Sequence, residues 1–151
     1  MVDILHRVGV QSSQQAVYEA LTSRDGLAGW WTTDTRVENQ ARGPIHFRFH
    51  VDGREIGHFE MKVIEQRPAT RVLWQVVDGP AEWVGTQIGF ELKQEGEWCI
   101  VMFRHTGWRE PVEFMHHCST KWALFLMSLK SLLENGRGAP HPHDVKIDNW
   151  N

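Results

Sequence analysis

The chain has 151 residues, of which 41% are hydrophobic and 23% charged, with a net charge of −3; this is the size and balance of one globular domain able to bury a core. Its Lys and Arg residues form no run, which argues against a nucleic-acid surface, and no apolar stretch reaches the length of a membrane span. Eight Trp against a single Tyr is the outlying number: indoles bury much apolar area, so the chain needs either a bulky core or an aromatic-walled cavity.

In chain order, Ile4, His6, Val8 and Val10 alternate with Leu5, Arg7 and Gly9 and predict a first strand. The segment from Met1 to Val10 carries Asp3 and lacks the basic-then-apolar pattern of a secretory signal. Ser12 or Ser13 can cap a helix over Gln14 to Thr22, whose apolar stripe is Ala16, Val17, Ala20 and Leu21. Asp25-Gly26 breaks the chain, and Leu27, Trp30 and Trp31 form a second short helix or turn. Ile45, Phe47, Phe49 and Val51 alternate with His46, Arg48 and His50; Asp52-Gly53 then predicts a hairpin into Phe59, Met61 and Val63. Pro68 ends that strand. Val72, Trp74 and Val76 form the next, then Thr86, Ile88, Phe90 and Leu92, then Val101, Phe103 and His105 on one face of the last. The period then changes: Met115, Cys118, Trp122, Phe125, Leu126, Leu129 and Leu133 recur at three- and four-residue steps and predict a long amphipathic helix ended by Asn135-Gly136. Arg137 to Asn151, with Pro140 and Pro142, has no period and is expected to be irregular.

This order predicts an α+β helix-grip fold: a curved antiparallel β-sheet wrapped around a long C-terminal α-helix, with two short helices after the first strand. The expected domain covers residues 1–138 and the irregular tail residues 139–151. A single sheet has one face to bury, and only the long helix is large enough to cover it. Such a grip leaves a gap, with Trp74, Phe90, Phe103 and Trp122 around it.

The motifs Leu27-Ala28-Gly29-Trp30-Trp31, Glu82-Trp83-Val84-Gly85-Thr86 leading into Ile88-Gly89-Phe90-Glu91-Leu92, Phe103-Arg104-His105-Thr106-Gly107-Trp108, and Trp122 followed by Ser128 to Gly136 occur in that order. Together they resemble the START-like (Bet v 1-like, SRPBCC) superfamily, and within it the branch related to the activator of heat-shock-protein 90 ATPase and the calicheamicin-resistance protein. The resemblance implies a helix-grip fold over nearly the whole chain. It leaves function open, because the superfamily includes lipid carriers, hormone receptors, cyclases, antibiotic-sequestering proteins and co-chaperones.

The aromatic set is Trp30, Trp31, Phe47, Phe49, Phe59, Trp74, Trp83, Phe90, Phe103, Trp108, Trp122 and Phe125. A grip filled by rings alone packs poorly without voids, so the set favours a cavity. The expected ligand-binding residues are Trp30, Phe49, Phe59, Trp74, Phe90, Phe103, His105, Met115, Cys118, Trp122 and Phe125. His105 points inward by parity and either orients a ligand, acts as an acid or base, or is a structural histidine bonded to a nearby carbonyl. Cys118 and Met115 are expected as wall, since no neighbour makes Cys118 a thiolate. His46 and His50 are expected to look outward. His141-Pro142-His143-Asp144 superficially suggests a metal site but lacks a second cluster. Cys99 and Cys118 read as free buried thiols of a reducing compartment, with a disulfide between them left open.

The functional expectation is binding or sequestration of an apolar small molecule in a cytoplasmic protein. No cofactor, metal, nucleic acid or membrane is implied, and no residue is assigned as catalytic. The alternatives are a cyclase- or hydrolase-type enzyme using His105 with Glu82 or Glu110, and a chaperone- or regulator-associated interaction protein. Ligand identity and oligomeric state are left open.

Overall fold

The structure is a computed structural model that describes residues 2–38 and 43–151. Met1 and residues 39–42, inside the expected 1–138 domain, lie outside the described residues. The elements are β1 (Val2–Val10), α1 (Gln14–Thr22), α2 (Arg24–Trp30), β2 (Asp34–Val37), β3 (Ile45–Val51), β4 (Arg54–Arg67), β5 (Arg71–Asp78), β6 (Gln87–Glu95), β7 (Trp98–Trp108) and α3 (Glu113–Asn135). The helix-grip α+β fold is therefore present. Its seven strands form one antiparallel sheet in the order β1-β7-β6-β5-β4-β3-β2. β2 had no sequence signal: Asp34-Thr35-Arg36-Val37 is too short to alternate, and it forms an edge by pairing with β3.

Local chemistry explains the helix ends. Ser13 accepts a hydrogen bond from the Ala16 amide and opens α1, and Ser23 does the same for Gly26 at the start of α2. Gly26 sits where α2 crosses α1, and a Cβ there would lie 2.6 Å from the Ala20 backbone, so any other residue would force the two helices apart. α3 ends at Gly136, whose φ of 79° is the left-handed cap that glycine adopts at little cost.

The core lies on the concave face of the sheet. Cross-strand register places Val72 beside Phe90 and Phe90 beside Phe103, with Trp74 beside Ile88 and Ile88 beside His105. These side chains are buried, and the Phe90 ring stands 5.3 Å from both Trp74 and Phe103. α3 covers this face through Cys118, Trp122, Phe125, Leu126 and Leu129. Trp122 reaches across to the Phe103 ring at 4.6 Å and to the Trp31 ring at 4.9 Å. Trp30 is pinned differently: its Nε1–H donates to the Ala20 carbonyl at 2.9 Å, which locks α2 onto α1.

Register shifts at Phe49/His50 in β3 and at two places in the long β4 bend the β3–β4 half of the sheet. Past α3 the chain is irregular but anchored. The His141 amide donates to the Trp31 carbonyl at 2.7 Å, the Thr33 amide donates to the His141 carbonyl at 3.0 Å, and the Ala139 amide donates to Ser128 Oγ at 2.7 Å. The tail thus returns across the open end of the grip.

Candidate functional site

A cavity of about 440 Å³ lies between α3, the β3–β4 half of the sheet and the returning tail. Its wall is mostly aromatic: Trp31 from the end of α2, Phe49 from β3, Phe59 from β4, Trp83 from the β5–β6 connection, Phe114, Trp122 and Phe125 from α3, and Trp150 from the tail. Neighbouring rings present faces to one another. Phe59 and Trp83 stack at 4.6 Å, and Trp83 and Trp122 lie near parallel at 5.9 Å.

Of the residues expected at the wall, the structure brings together Phe49, Phe59, Cys118, Trp122 and Phe125. It does not bring Trp30, Trp74, Phe90, Phe103, His105 or Met115 to this cavity. Trp30, Trp74, Phe90, Phe103 and His105 are packed core, and Met115 is half-buried against it. The physical reason is that α3 presses Trp122 directly onto Phe103. The grip is closed over β5–β7 and gapes over the β3–β4 half, where the register shifts bend the sheet away. Trp31 and Trp83 belong to the aromatic set but had no strand or helix parity to orient them. Glu82, Asp144 and Trp150 at the wall had no such signal either; Lys121 stands three residues after Cys118 and four before Phe125, on the apolar stripe of α3, but its charge hid it.

His105 is fully buried, and both of its nitrogens are taken. Trp122 Nε1–H donates to His105 Nδ1 at 3.1 Å; His105 Nε2–H donates to Thr86 Oγ1 at 2.8 Å; Thr86 Oγ1–H donates to the Trp83 carbonyl at 2.6 Å. Every hydrogen in this chain has one acceptor, and the arrangement requires the neutral Nε2–H tautomer. Burial pushes the imidazole down to about 3. It is thus a structural histidine, bonded to a hydroxyl rather than to a carbonyl.

Cys118 lies on the wall and accepts the Trp83 indole N–H at 3.4 Å. Burial pushes its thiol up to about 12, with the Trp83 hydrogen bond opposing and the Glu82 charge adding. At neutral pH it is a small apolar wall residue and no nucleophile. Cys99 is buried elsewhere, and both thiols are free.

Besides the exposed Glu82, two charged residues line the cavity from buried positions, Lys121 and Asp144, whose side chains are only 9% and 4% exposed. Lys121 Nζ donates to Asp144 Oδ2 at 2.6 Å and to the Val145 carbonyl at 2.7 Å. Asp144 Oδ1 accepts from His141 Nδ1 at 3.0 Å, and His141 Nε2 lies 2.7 Å from the His50 carbonyl oxygen. Burial raises the Asp144 carboxyl, but the hydrogen bonds from His141 and Lys121 and their charges outweigh it and hold it below the ordinary value. His141 and Asp144, the suggestive pair of the tail motif, thus bind the tail to α3 and β3. Nearer the C-terminus, His117 Nδ1 donates to Asp148 Oδ2 at 2.7 Å, and Trp150 packs on Phe114 and His117.

His46 and His50 carry the polar face of β3. His46 Nδ1 lies 3.2 Å from His58 Nε2, and His50 Nε2 donates to Asp34 Oδ2 at 2.9 Å; that hydrogen bond lowers the Asp34 carboxyl. Among the described residues no group of three or more His, Cys, Asp or Glu stands in metal-ligating geometry, and no helix is long and apolar enough to cross a membrane.

Residues 11–134 match the family described as activator of Hsp90 ATPase homolog 1-like protein. The chain belongs to this family, a branch of the SRPBCC fold. Among solved structures, the Aha1 dimer from Colwellia psychrerythraea is 40% identical, with a TM-score of 0.77, over 91% of this chain and 100% of that one. DynU16, a putative protein of the dynemicin biosynthetic locus, is 20% identical with a TM-score of 0.72, over 90% of this chain and 48% of its own. CalU16 from Micromonospora echinospora is 14% identical with a TM-score of 0.67, over 87% and 74% of the two chains. These last two likenesses show the fold alone. No curated protein matches the chain.

Proposed function

We propose that this family member binds an apolar small molecule in the cavity behind α3. The observation that supports this reading is a void of about 440 Å³ bounded by aromatic faces, within the size range of small-molecule sites. An aromatic wall left facing a void gives up dispersion contacts that a bound ring or chain would restore. The cyclase or hydrolase alternative draws no support from His105, whose ring is off the wall with both nitrogens engaged. Two free buried thiols fit the reducing cytoplasm.

The test is titration with an apolar fluorescent probe, followed by energy transfer from the wall indoles. One saturable site is expected, competed by naphthalene-sized hydrocarbons. Cys118→Phe, which projects a ring into the void, should weaken probe binding at least tenfold while the protein stays folded. Absence of saturable binding to the native protein overturns the reading.

A second reading, association with a chaperone, is favoured by the family match and by 40% identity to the Aha1 of Colwellia psychrerythraea. Its measurement is the ATPase rate of Hsp90 with and without this protein. Stimulation that persists in Cys118→Phe would assign the activity to the outer surface rather than to the cavity.

A further inference from the structure

The cavity wall is mostly aromatic, and the most deeply buried cation on it is the Lys121 ammonium; Glu82, His117, Asp144 and Asn151 also line it, the His117 side chain being 12% exposed with its Nδ1 engaged by Asp148. The Lys121 ammonium has three hydrogens; two are spent on Asp144 Oδ2 and the Val145 carbonyl. The side chain is 9% exposed and lines the cavity, with the Phe125 ring centroid 5.9 Å from Nζ. The indoles of Trp83 and Trp122, also on the wall, are committed to Cys118 and His105. Asp144 has both oxygens engaged, one by Lys121 and one by His141. The third Lys121 hydrogen is therefore a charge-assisted donor held at an apolar wall.

We infer that Lys121 is the specificity-determining residue of this cavity, and that the ligand is an apolar ring-bearing molecule carrying one uncharged oxygen acceptor, a carbonyl or hydroxyl. The inference rests on the cavity reading proposed above. A donor in a water-poor site favours an acceptor over a hydrocarbon of the same shape, since the hydrocarbon leaves a charged N–H unpaired. A carboxylate is disfavoured because Asp144 already neutralises the ammonium at 2.6 Å, and the Glu82 carboxylate stands at the same wall. Bringing a second carboxylate to an ammonium that Asp144 already neutralises costs more than the added hydrogen bond returns.

The experiment compares three probes of one shape, 2-acetylnaphthalene, 2-isopropenylnaphthalene and 2-naphthoate, by calorimetry on the full chain. The ketone is expected to bind on the order of tenfold tighter than the hydrocarbon, the gain of one hydrogen bond to a charged group, and the naphthoate more weakly than the ketone. In Lys121→Met/Asp144→Leu, which removes both charges together so that neither is left buried alone, the preference for the ketone should vanish while the hydrocarbon still binds. As a readout on the native chain, the Lys121 Nζ resonance should shift with the ketone and stay fixed with the hydrocarbon. Equal binding of ketone and hydrocarbon, tighter binding of the naphthoate, or a ketone preference that survives the double substitution overturns the inference and leaves the cavity reading standing. If none of the three binds, the cavity reading falls and this inference falls with it.

Discussion

His105 shows how one buried imidazole ties pH to stability. Its folded value is about 3, against about 6.5 for an unperturbed histidine. The unfolded chain therefore takes up a proton that the native one refuses. The contribution of His105 is complete above pH ~6.5 and is lost as the pH falls from there toward the folded value, at no more than about 1.4 kcal/mol per pH unit. The depressed carboxyls Asp34, Asp144 and Asp148 act lower, since their contribution is present above about pH 3.9 and fades only below it. Urea unfolding at pH 6.5 and 4.5 should show the loss, and the His105 ring resonance should stay at its neutral position across that window. A ring titrating near 6.5 would contradict the relay. Thr86→Val removes the acceptor of His105 Nε2–H and should cost about 1–3 kcal/mol, the price of one unpaired buried donor.

At the scale of elements, α3 and the tail carry the surprise. The helical period of α3 was plain, and its buried face holds the expected Cys118, Trp122, Phe125 and Leu129. Lys121 lies on that same face, three residues after Cys118 and four before Phe125, a charge within an apolar stripe. It is tolerated because the tail brings Asp144 and the Val145 carbonyl to it, so the charge is paired where it is buried. Asp144→Ala would leave the ammonium without its counter-charge and should cost about 3–5 kcal/mol in urea unfolding, whereas Lys121→Met/Asp144→Leu should cost less, about the 1–3 kcal/mol of the buried His141 Nδ1–H left without its acceptor. A small loss in Asp144→Ala would mean that water reaches Lys121 freely. Deleting residues 144–151 removes Asp144, Trp150 and Asn151 from the wall and should speed probe release as well as lower stability.

For the whole molecule, the decisive question is where the grip is tight. Trp122 is both core and wall: it packs on Phe103, hydrogen-bonds His105 and faces the void. Trp122→Ala should cost about 3–5 kcal/mol, as for a core aromatic, and should also admit larger probes; a loss below ~1 kcal/mol would mean that its packing on Phe103 is loose. The strands that alternate cleanly, Ile88-Phe90-Leu92 and Val101-Phe103-His105, were legible in the sequence because period-2 burial decides which face a side chain takes, and α3 was legible through its 3.6 period. Those signals determined every strand but β2, the helix that covers the sheet and the inward direction of the aromatics on those elements. They could not say which aromatics pack and which face space, because that depends on how far α3 stands from each strand. Only the tertiary structure decided it: register shifts in β3 and β4 bend one half of the sheet away from the helix. The tail closes that half with contacts whose partners lie far away in sequence, His141 to His50 and Asp144 to Lys121. A periodic pattern reports the direction of a side chain from its own element, and a cavity is a distance between elements.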